Sequence, residues 1–443
     1  MNKQLPLVST AIPFLLMIIG ILIFLTVPFV QAGALITVND VNDLVLAGDS
    51  LCTLREAVEN ANTDSDTTLG DCAAGSGADT ITFLDQPGSP DIYEVGASLL
   101  VTDGLTIAGL GQDETSIQAH VALANSIFVV MVVSGDVVTF EELTIRAAHA
   151  TGKGGGVLNQ GSIVIFVNST LRDNMASLGG GLFNDGGNVT FDHSTISNNT
   201  ASSQGGGIVN TAFGTITFRE STVSQNTSVS DGGGIFNEDG SLTLTASTVD
   251  NNTADSGGGI LNGGTLTMTN STVSGNFAGT GSGGGLFNAG GLAGAAINNS
   301  TFSENQAVAN GNALHNEEAL TLSQSIMADS FPGDVCSGSI LPVSLGYNLD
   351  SDGTCNLTLP TDIPSGNANL DVLKNNGGPT ETHALLPNSE AIDRISGAFC
   401  PPPATDQRGF VRPLDGNNDD TIACDIGSFE LGPLNFLPLV MGE

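Results

Sequence analysis

The sequence predicts an all-β protein: a parallel β-helix whose coils, of about 26 residues, each carry three short strands, with a short capping helix at the N-terminal end. Three observations predict it. A phrase GGG-x-x-N recurs as GGGVLN (154–159), GGGLFN (179–184), GGGIVN (205–210), GGGIFN (232–237), GGGILN (257–262) and GGGLFN (283–288), with a worn copy, GNALHN, at 311–316; its starts are 25, 26, 27, 25, 26 and 28 residues apart. A second phrase lies between the copies: STLRDN, STISNN, STVSQN, STVDNN, STVSGN and STFSEN, beginning at residues 169, 194, 221, 247, 271 and 300. Between the two phrases run short alternating stretches such as Leu242-Thr243-Leu244 and Leu266-Thr267-Met268, a period-two pattern that means strand. A fixed period of this length means stacked repeats, and it is too short for a four-stranded propeller blade and lacks the leucines and helix of a leucine-rich repeat. Three strand-like pieces per period, each coil lying about 4.8 Å above the last, describe a parallel β-helix.

The chain has 443 residues, a net charge of -36, 58 Gly, 6 Cys and no Trp. Its hydrophobic content of 40% is enough for a packed core. The acidity repels nucleic acid and anionic membrane surfaces, so neither is an expected partner. Residues 1–32 read as a signal peptide: Lys3, an apolar run from Ala11 to Val30, then small residues around Ala32 suited to cleavage. No later stretch is long and apolar enough to span a bilayer, so the expected location is secreted or cell-surface.

Residues 33–100 are expected to hold a cap and the first strands. In CTLREAVENAN (52–62), Leu54, Ala57, Val58 and Ala61 fall on one helical face, and Thr53 with Glu56 three residues on forms a capping-box pattern. Arg55, Glu56 and Glu59 read as its solvent-facing side. Export makes the cysteines readable as disulfides, and proximity favours Cys52–Cys72, Cys336–Cys355 and Cys400–Cys424 among the 15 connectivities that six cysteines allow. No CxxC pair suggests zinc.

The coils proper are expected over residues 101–350. Glycines allow a corner with positive φ, and the apolar residues after them point into a narrow core. The recurring asparagines are expected to stack as structural ladders, Asn159, Asn184, Asn210, Asn237, Asn262, Asn288 and Asn316 in one, Asn174, Asn199, Asn226, Asn252, Asn276 and Asn305 in another, each amide bonding to those above and below. Asn348 reads as the end of one further coil.

Two groups are candidate sites. Aligning the coils places Asp192 beside Arg219 and His193 beside Glu220, an acid, an imidazole and a guanidinium at one corner that suit acid–base chemistry, and equally suit cross-strand ion pairing. In LDGNNDDTIACDIG (414–427), Asp415, Asn417 and Asp419 alternate like the opening of a calcium loop, with Asp425 as a fourth oxygen donor; calcium is the one cofactor the residues suggest. The loop has Asp420 where such loops carry Gly.

The two ends carry a resemblance. CTLREA resembles the "CSLREA" box of exported bacterial proteins, with Thr53 for Ser. GGPTETHALLPNSEAID (377–393), TDQRGFVRP (405–413) and DIGSFE (425–430) resemble the C-terminal "choice-of-anchor Q" region, here 351–431, followed by an apolar tail, 432–443. Such proteins are similar to pectin-lyase-like right-handed β-helices and to polymorphic outer-membrane protein repeats, although the Phe-x-x-Asn motif of the latter keeps its phenylalanine only at Phe302–Asn305. The resemblance implies an exported, cell-surface, right-handed β-helix. The expected function is non-enzymatic: a rigid rod presenting a polar Ser/Thr/Asn face to cell-surface glycans or other surface proteins. The alternative is a polysaccharide-active enzyme, a lyase or glycoside hydrolase. Against it stand the scarcity of Lys and Arg, the absence of Trp, and only Tyr93 and Tyr347 to serve as sugar platforms.

Overall fold

The computed structural model describes residues 32–86, 90–132, 135–290, 294–328, 332–397, 400 and 404–433. Most of the expected leader, residues 1–31, and most of the apolar tail, residues 434–443, lie outside the described residues.

The chain winds as a parallel β-helix. One coil shows the plan: Leu182–Asp185, Asn188–Asp192, Thr195–Ser197 and Thr200–Gln204, then three glycines that lead into Ile208–Thr211 directly beside Leu182–Asp185. Repetition of these segments builds parallel sheets. Sheet 1 has 12 strands, from Leu35–Val38 to Val343–Ser344; sheet 2 has 10, from Leu99–Val101 to Cys336–Ser337; sheet 3 has 12, from Asp91–Val95 to Ile363–Pro364. These are the three expected strands per coil. A fourth sheet of six short strands, Met175–Leu178 to Gln306–Ala307, is added in the middle coils. Its later members, such as Thr227–Ser228, are two residues long, too short to show alternation in the sequence. The parallel strands run from Leu35–Val38 to Ile363–Pro364.

Alternation puts every second strand residue inside. Phe140, Phe166, Phe191 and Phe218 occupy the same inward position in successive coils, and their rings stack at 5.1, 4.7 and 5.0 Å, because the coil spacing leaves them no other arrangement. Leu244, Met268, Ile297 and Leu322 continue the column.

The corners are held by three polar ladders. Asn159 through Asn316 donate amide to amide at 2.7–2.8 Å, all essentially unexposed. Asn174 through Asn305 do so at 2.9–3.1 Å, and each Oδ1 also accepts the backbone N–H of the asparagine below. The third ladder was not anticipated. Ser194, Ser221, Ser247, Ser271, Ser300 and Ser325 each accept on Oγ the N–H of the equivalent serine one coil earlier, starting from Ser169, at 3.0–3.2 Å. Asn348 ends this serine ladder, its Oδ1 taking the Ser325 N–H at 3.0 Å, rather than extending an asparagine ladder. Of the three glycines, only the first has a left-handed φ, such as +62° at Gly232; the second is required by close approach, since a Cβ on Gly233 would lie 2.3 Å from the carbonyl oxygen of Gly258.

The helix, Leu54–Thr63, is an excursion between the first two strands of sheet 1, Leu35–Val38 and Asp79–Phe83. Leu54, Ala57, Val58 and Ala61 are buried in the core, and the Thr53/Glu56 capping box is present. Glu56 does not face solvent as expected: it is 1% exposed, because its carboxylate accepts the N–H groups of both Thr53 and Leu46. Arg55 pairs with Asp43. All three expected disulfides are formed, Cys52–Cys72, Cys336–Cys355 and Cys400–Cys424.

After Ile363–Pro364 the chain turns back and lies along the outer face of sheet 3. Its Leu385, Ala391, Ile395, Ile426 and Phe429 pack in one small core with Ile326, Ala328 and Leu349 of the last coils, and it carries an antiparallel pair, Ile395–Ser396 with Ala423–Cys424.

Candidate functional site

Two outward faces of the coils are rich in hydroxyls, and the C-terminal segment decides which is open. On sheet 3 the outer positions are Thr195/Ser197, Thr222/Ser224, Thr248/Asp250, Thr272/Ser274 and Thr301/Ser303. From Ala246 onward this face is occupied. Gln407 bridges Thr272, by its Oε1 at 2.7 Å, and both Thr248 and Thr380, by its Nε2 at 2.9 Å; Ser428 bonds Thr272 and Thr301; Thr380 donates to the Ala246 carbonyl. The TDQRG and DIGSFE motifs thus supply the docking residues. Behind them, Asp406 binds Arg408 at 2.6 Å and Arg412 lies buried beside Glu430 at 3.7 Å.

The outer positions of the middle strands of sheet 1 are exposed or half-exposed. Thr190, Thr217, Thr243 and Thr267 form an in-register outward column, flanked on one side by Asn188, Thr215, Ser241 and Thr265, on the other by Asp192, Arg219, Thr245 and Thr269. All are exposed or half-exposed. The hydroxyls repeat about 4.8 Å apart between coils and roughly 6.6 Å apart along each strand, a regular grid. The ladder asparagines take no part, because their amides are consumed inside the corners. The presented face is mostly Ser and Thr, with Asn188 supplied by a strand residue rather than by a ladder.

The candidate acid–base corner stands at the edge of this grid. Asp192 and Arg219 are register partners, as the alignment implied, but they form no ion pair. His193 bonds Asp192 through Nδ1 at 2.6 Å and Glu220 through Nε2 at 2.8 Å, all three side chains being between about a third and a half exposed. Both imidazole nitrogens are committed to carboxylates. The arrangement clips two coils together and leaves no ring nitrogen directed at a substrate.

A second polar region lies in the seam between sheet 3 and the C-terminal segment. A cleft of about 500 Å³ is lined by Ser303, Glu304, Ser351, Asn367, Asn369 and Asp371, among others. At its margin His383, 1% exposed, accepts from or donates to Ser274 Oγ at 2.9 Å through Nε2 and contacts the Asp371 carbonyl through Nδ1 at 2.6 Å. Burial pushes His383 below its ordinary pKa, so it is neutral: Nδ1–H donates to the carbonyl and Nε2 accepts the Ser274 hydroxyl. Asp371 is held below the carboxylate range by its bond to Lys374. One coil below Ser274, burial pushes Asp250 up to about 6. Sequence reasoning missed this seam, since Ser274 and His383, 109 positions apart, meet there.

The four candidate calcium ligands are engaged by the chain itself. Asp415 accepts the N–H groups of Asp419 and Asp420, Asn417 that of Asp419, and Asp419 that of Thr421, an exposed turn closed on itself. Asp425 is fully buried, its carboxylate accepting the N–H groups of Asp393 and Leu431, and burial raises its pKa well above the usual range. Among the described residues, no group of three or more His, Cys, Asp or Glu side chains is gathered as a metal site.

The architecture defines the class: a right-handed parallel β-helix. A family model described as "Right handed beta helix region" matches residues 128–307, the coils with the clearest repeats. No curated protein matches the sequence. Among solved structures, the chain is similar to one titled "Crystal structure of pectate lyase Pel9A", at 13% identity and a TM-score of 0.51, over 90% of this chain and 96% of that one. A structure titled "Geobacillus virus E2 - ORF18" matches at 11% identity and a TM-score of 0.35, over 71% of this chain and 60% of that one. At 13% identity the likeness to the lyase is a likeness of fold.

Proposed function

We propose that this chain is an exported, cell-surface binding protein without enzymatic activity, a rigid rod whose sheet 1 presents a Ser/Thr grid to surface glycans or other surface proteins. One observation carries the reading: the Thr190–Thr217–Thr243–Thr267 column forms a regular row of exposed or half-exposed hydroxyls, flanked mostly by further Ser and Thr, along coils whose other hydroxyl face is partly covered. Three disulfides support an oxidising compartment. The test is a glycan array read with the wild type and with Thr217→Lys/Thr243→Lys/Thr267→Lys. Retention of glycan by the wild type and its loss in the triple variant, with an unchanged melt, is the expected result; equal retention by both would sink the proposal.

The seam cleft favours a second reading, a polysaccharide-active enzyme, because Glu304 and Asp371 line one cavity beside a buried histidine. Weighing against it, Asp371 is held ionised by Lys374 and is unsuited to act as a proton donor. Turnover of an array-selected glycan, lost in Glu304→Gln or Asp371→Asn, would replace the first reading with this one.

A further inference from the structure

Arginine is scarce in this chain, which holds 10 Lys and Arg against 46 Asp and Glu. Yet two arginines stand side by side on the outer face of sheet 3: Arg146 and Arg172 are register partners in adjacent coils, about one strand spacing apart. Like charges placed directly opposite each other on a sheet are destabilising unless something lies between them to compensate. Arg172 has a partner, the Asp173 carboxylate at 2.6 Å. Arg146 forms no ion pair among the described residues, and its Nε is buried without a hydrogen-bond partner. The neighbouring threonines are already engaged: Thr144 donates to the Gln112 carbonyl at 2.7 Å and Thr170 to the Gln112 side chain at 2.8 Å. Apart from the buried Arg146 Nε and the Arg172 Nη1 bound to Asp173, the guanidinium NH2 groups are the donors left at this spot. Gln118 and Ser197 extend the same outward column at its two ends, each able to donate. Among the described residues, the C-terminal segment makes its first side-chain bonds to sheet 3 three coils further on, at Thr248, and Gln112 engages the threonine row beside the two half-exposed arginines. Two guanidiniums and one carboxylate leave a local charge of one positive unit.

We propose that Arg146 and Arg172 form a binding site for a single monoanionic oxyanion carried on a sugar chain, a sulfate ester or a carboxylate, which bridges the two guanidiniums. Charge balance selects a monoanion. The planar fork of each guanidinium offers paired N–H groups to such oxygens, which an ammonium cannot match. The surrounding acidity does not forbid it, since charges farther away than the Debye length of about 8 Å are screened at physiological salt, and the contact pair is not. The site is independent of the sheet 1 grid and lies on another face of the coil.

The test titrates the full-length protein with three oligosaccharides of one backbone: neutral, sulfated and carboxylated. At least one charged form should bind roughly tenfold more tightly than the neutral form, and that preference should disappear in Arg146→Gln and in Arg172→Gln while persisting in Arg394→Gln, an exposed arginine of the C-terminal segment. Which charged form binds identifies the oxyanion. Arg146→Lys should recover only part of the preference, because the fork is lost. Side-chain N–H resonances of Arg146 followed during titration with inorganic sulfate read the site without any glycan. A preference that survives both Arg→Gln changes, or charged forms that bind no better than the neutral one with the Arg146 resonance unmoved by sulfate, would overturn the assignment. Loss of binding in the sheet 1 triple variant with the charge preference intact, or the reverse, separates the two sites.

Discussion

Replacing Asn252 by leucine tests what the ladders do. The side chains are similar in shape, so the change removes polarity with little change of volume. In the folded coil Asn252 Oδ1 accepts two bonds, from the Asn226 backbone N–H at 2.9 Å and from Asn226 Nδ2 at 3.0 Å, while its own Nδ2 donates to the Val223 carbonyl and to Asn276. Asn276 Oδ1 keeps the backbone N–H of residue 252, which leucine still supplies. The loss therefore falls on Asn226: its backbone N–H and one of its amide hydrogens become buried donors without partners, while its other amide hydrogen keeps the Ile196 carbonyl. Each orphaned buried donor costs about 1–3 kcal/mol, so the variant should lose about 2–6 kcal/mol. Asn237→Leu, in the other ladder, should lose less. There the Asn262 Oδ1 loses its donor and one Asn210 amide hydrogen is left with only a 3.4 Å contact to the Ser241 carbonyl, but no backbone N–H is orphaned: Asn210 still donates to the Gly214 carbonyl, and the Gly240 carbonyl still accepts the Thr265 N–H. The expected order is wild type, Asn237→Leu, then Asn252→Leu in decreasing stability. Coils contact only their neighbours, so the damage should be local. Hydrogen exchange by mass spectrometry, alongside thermal melts, should show faster exchange in the coils holding residues 200–280 before the ends respond. Equal melts for the two variants, or exchange increased uniformly along the rod, would refute the reasoning.

Gly233→Val should prevent the middle coils from forming, because its Cβ would meet the Gly258 and Thr253 carbonyl oxygens at 2.3 and 2.5 Å; recovery of soluble protein with a wild-type melt would count against it. Gln407→Ala removes the side chain that ties Thr248, Thr272 and Thr380 together, so limited proteolysis should cut within residues 365–433 earlier than in wild type while the coils stay intact. The pH dependence follows from buried carboxyls. Burial pushes Asp250 and Asp350 up to about 6 and Glu430 up to about 7, so the folded chain holds these protons more tightly than the unfolded one, whose carboxyls titrate near ~4. That stability is complete below about pH 4 and is lost as pH rises through 6 to 7. Asp250→Asn should flatten part of this fall and raise the melting temperature at pH 8 relative to wild type, by up to ~3 kcal/mol in stability; a difference between the two proteins that does not change between pH 4 and 8 would show that Asp250 is not the group responsible. His193→Ala should leave folding, glycan retention and any turnover nearly unchanged, since the imidazole joins only two half-exposed carboxylates; loss of binding with an intact melt would make that corner a site.

The sequence by itself determined the coil, because in a solenoid the periodicity is the structure. Each GGG-x-x-N and ST phrase meets its own copy one turn later, so register could be read by aligning the chain with itself: Asn210 on Asn237, Phe191 on Phe218, His193 beside Glu220. The capping helix and the disulfides were legible for a related reason, being local in sequence. The short strands of sheet 4 were not, since two residues carry no period. The serine ladder was visible only as a repeated word, because whether a serine turns inward or outward at a corner depends on φ there. Only the tertiary structure decided which polar surface is available. The C-terminal segment has no repeat to align with. It returns more than a hundred residues along the chain to place Gln407 on Thr272, Ser428 on Thr301 and His383 on Ser274, covering part of one hydroxyl face, while the outer positions of the middle strands of sheet 1 stay exposed or half-exposed and Arg146 and Arg172 stay half-exposed. Contacts of that range depend on where a non-repeating segment comes to rest, which is set by the sum of many small polar matches that no window of the sequence contains.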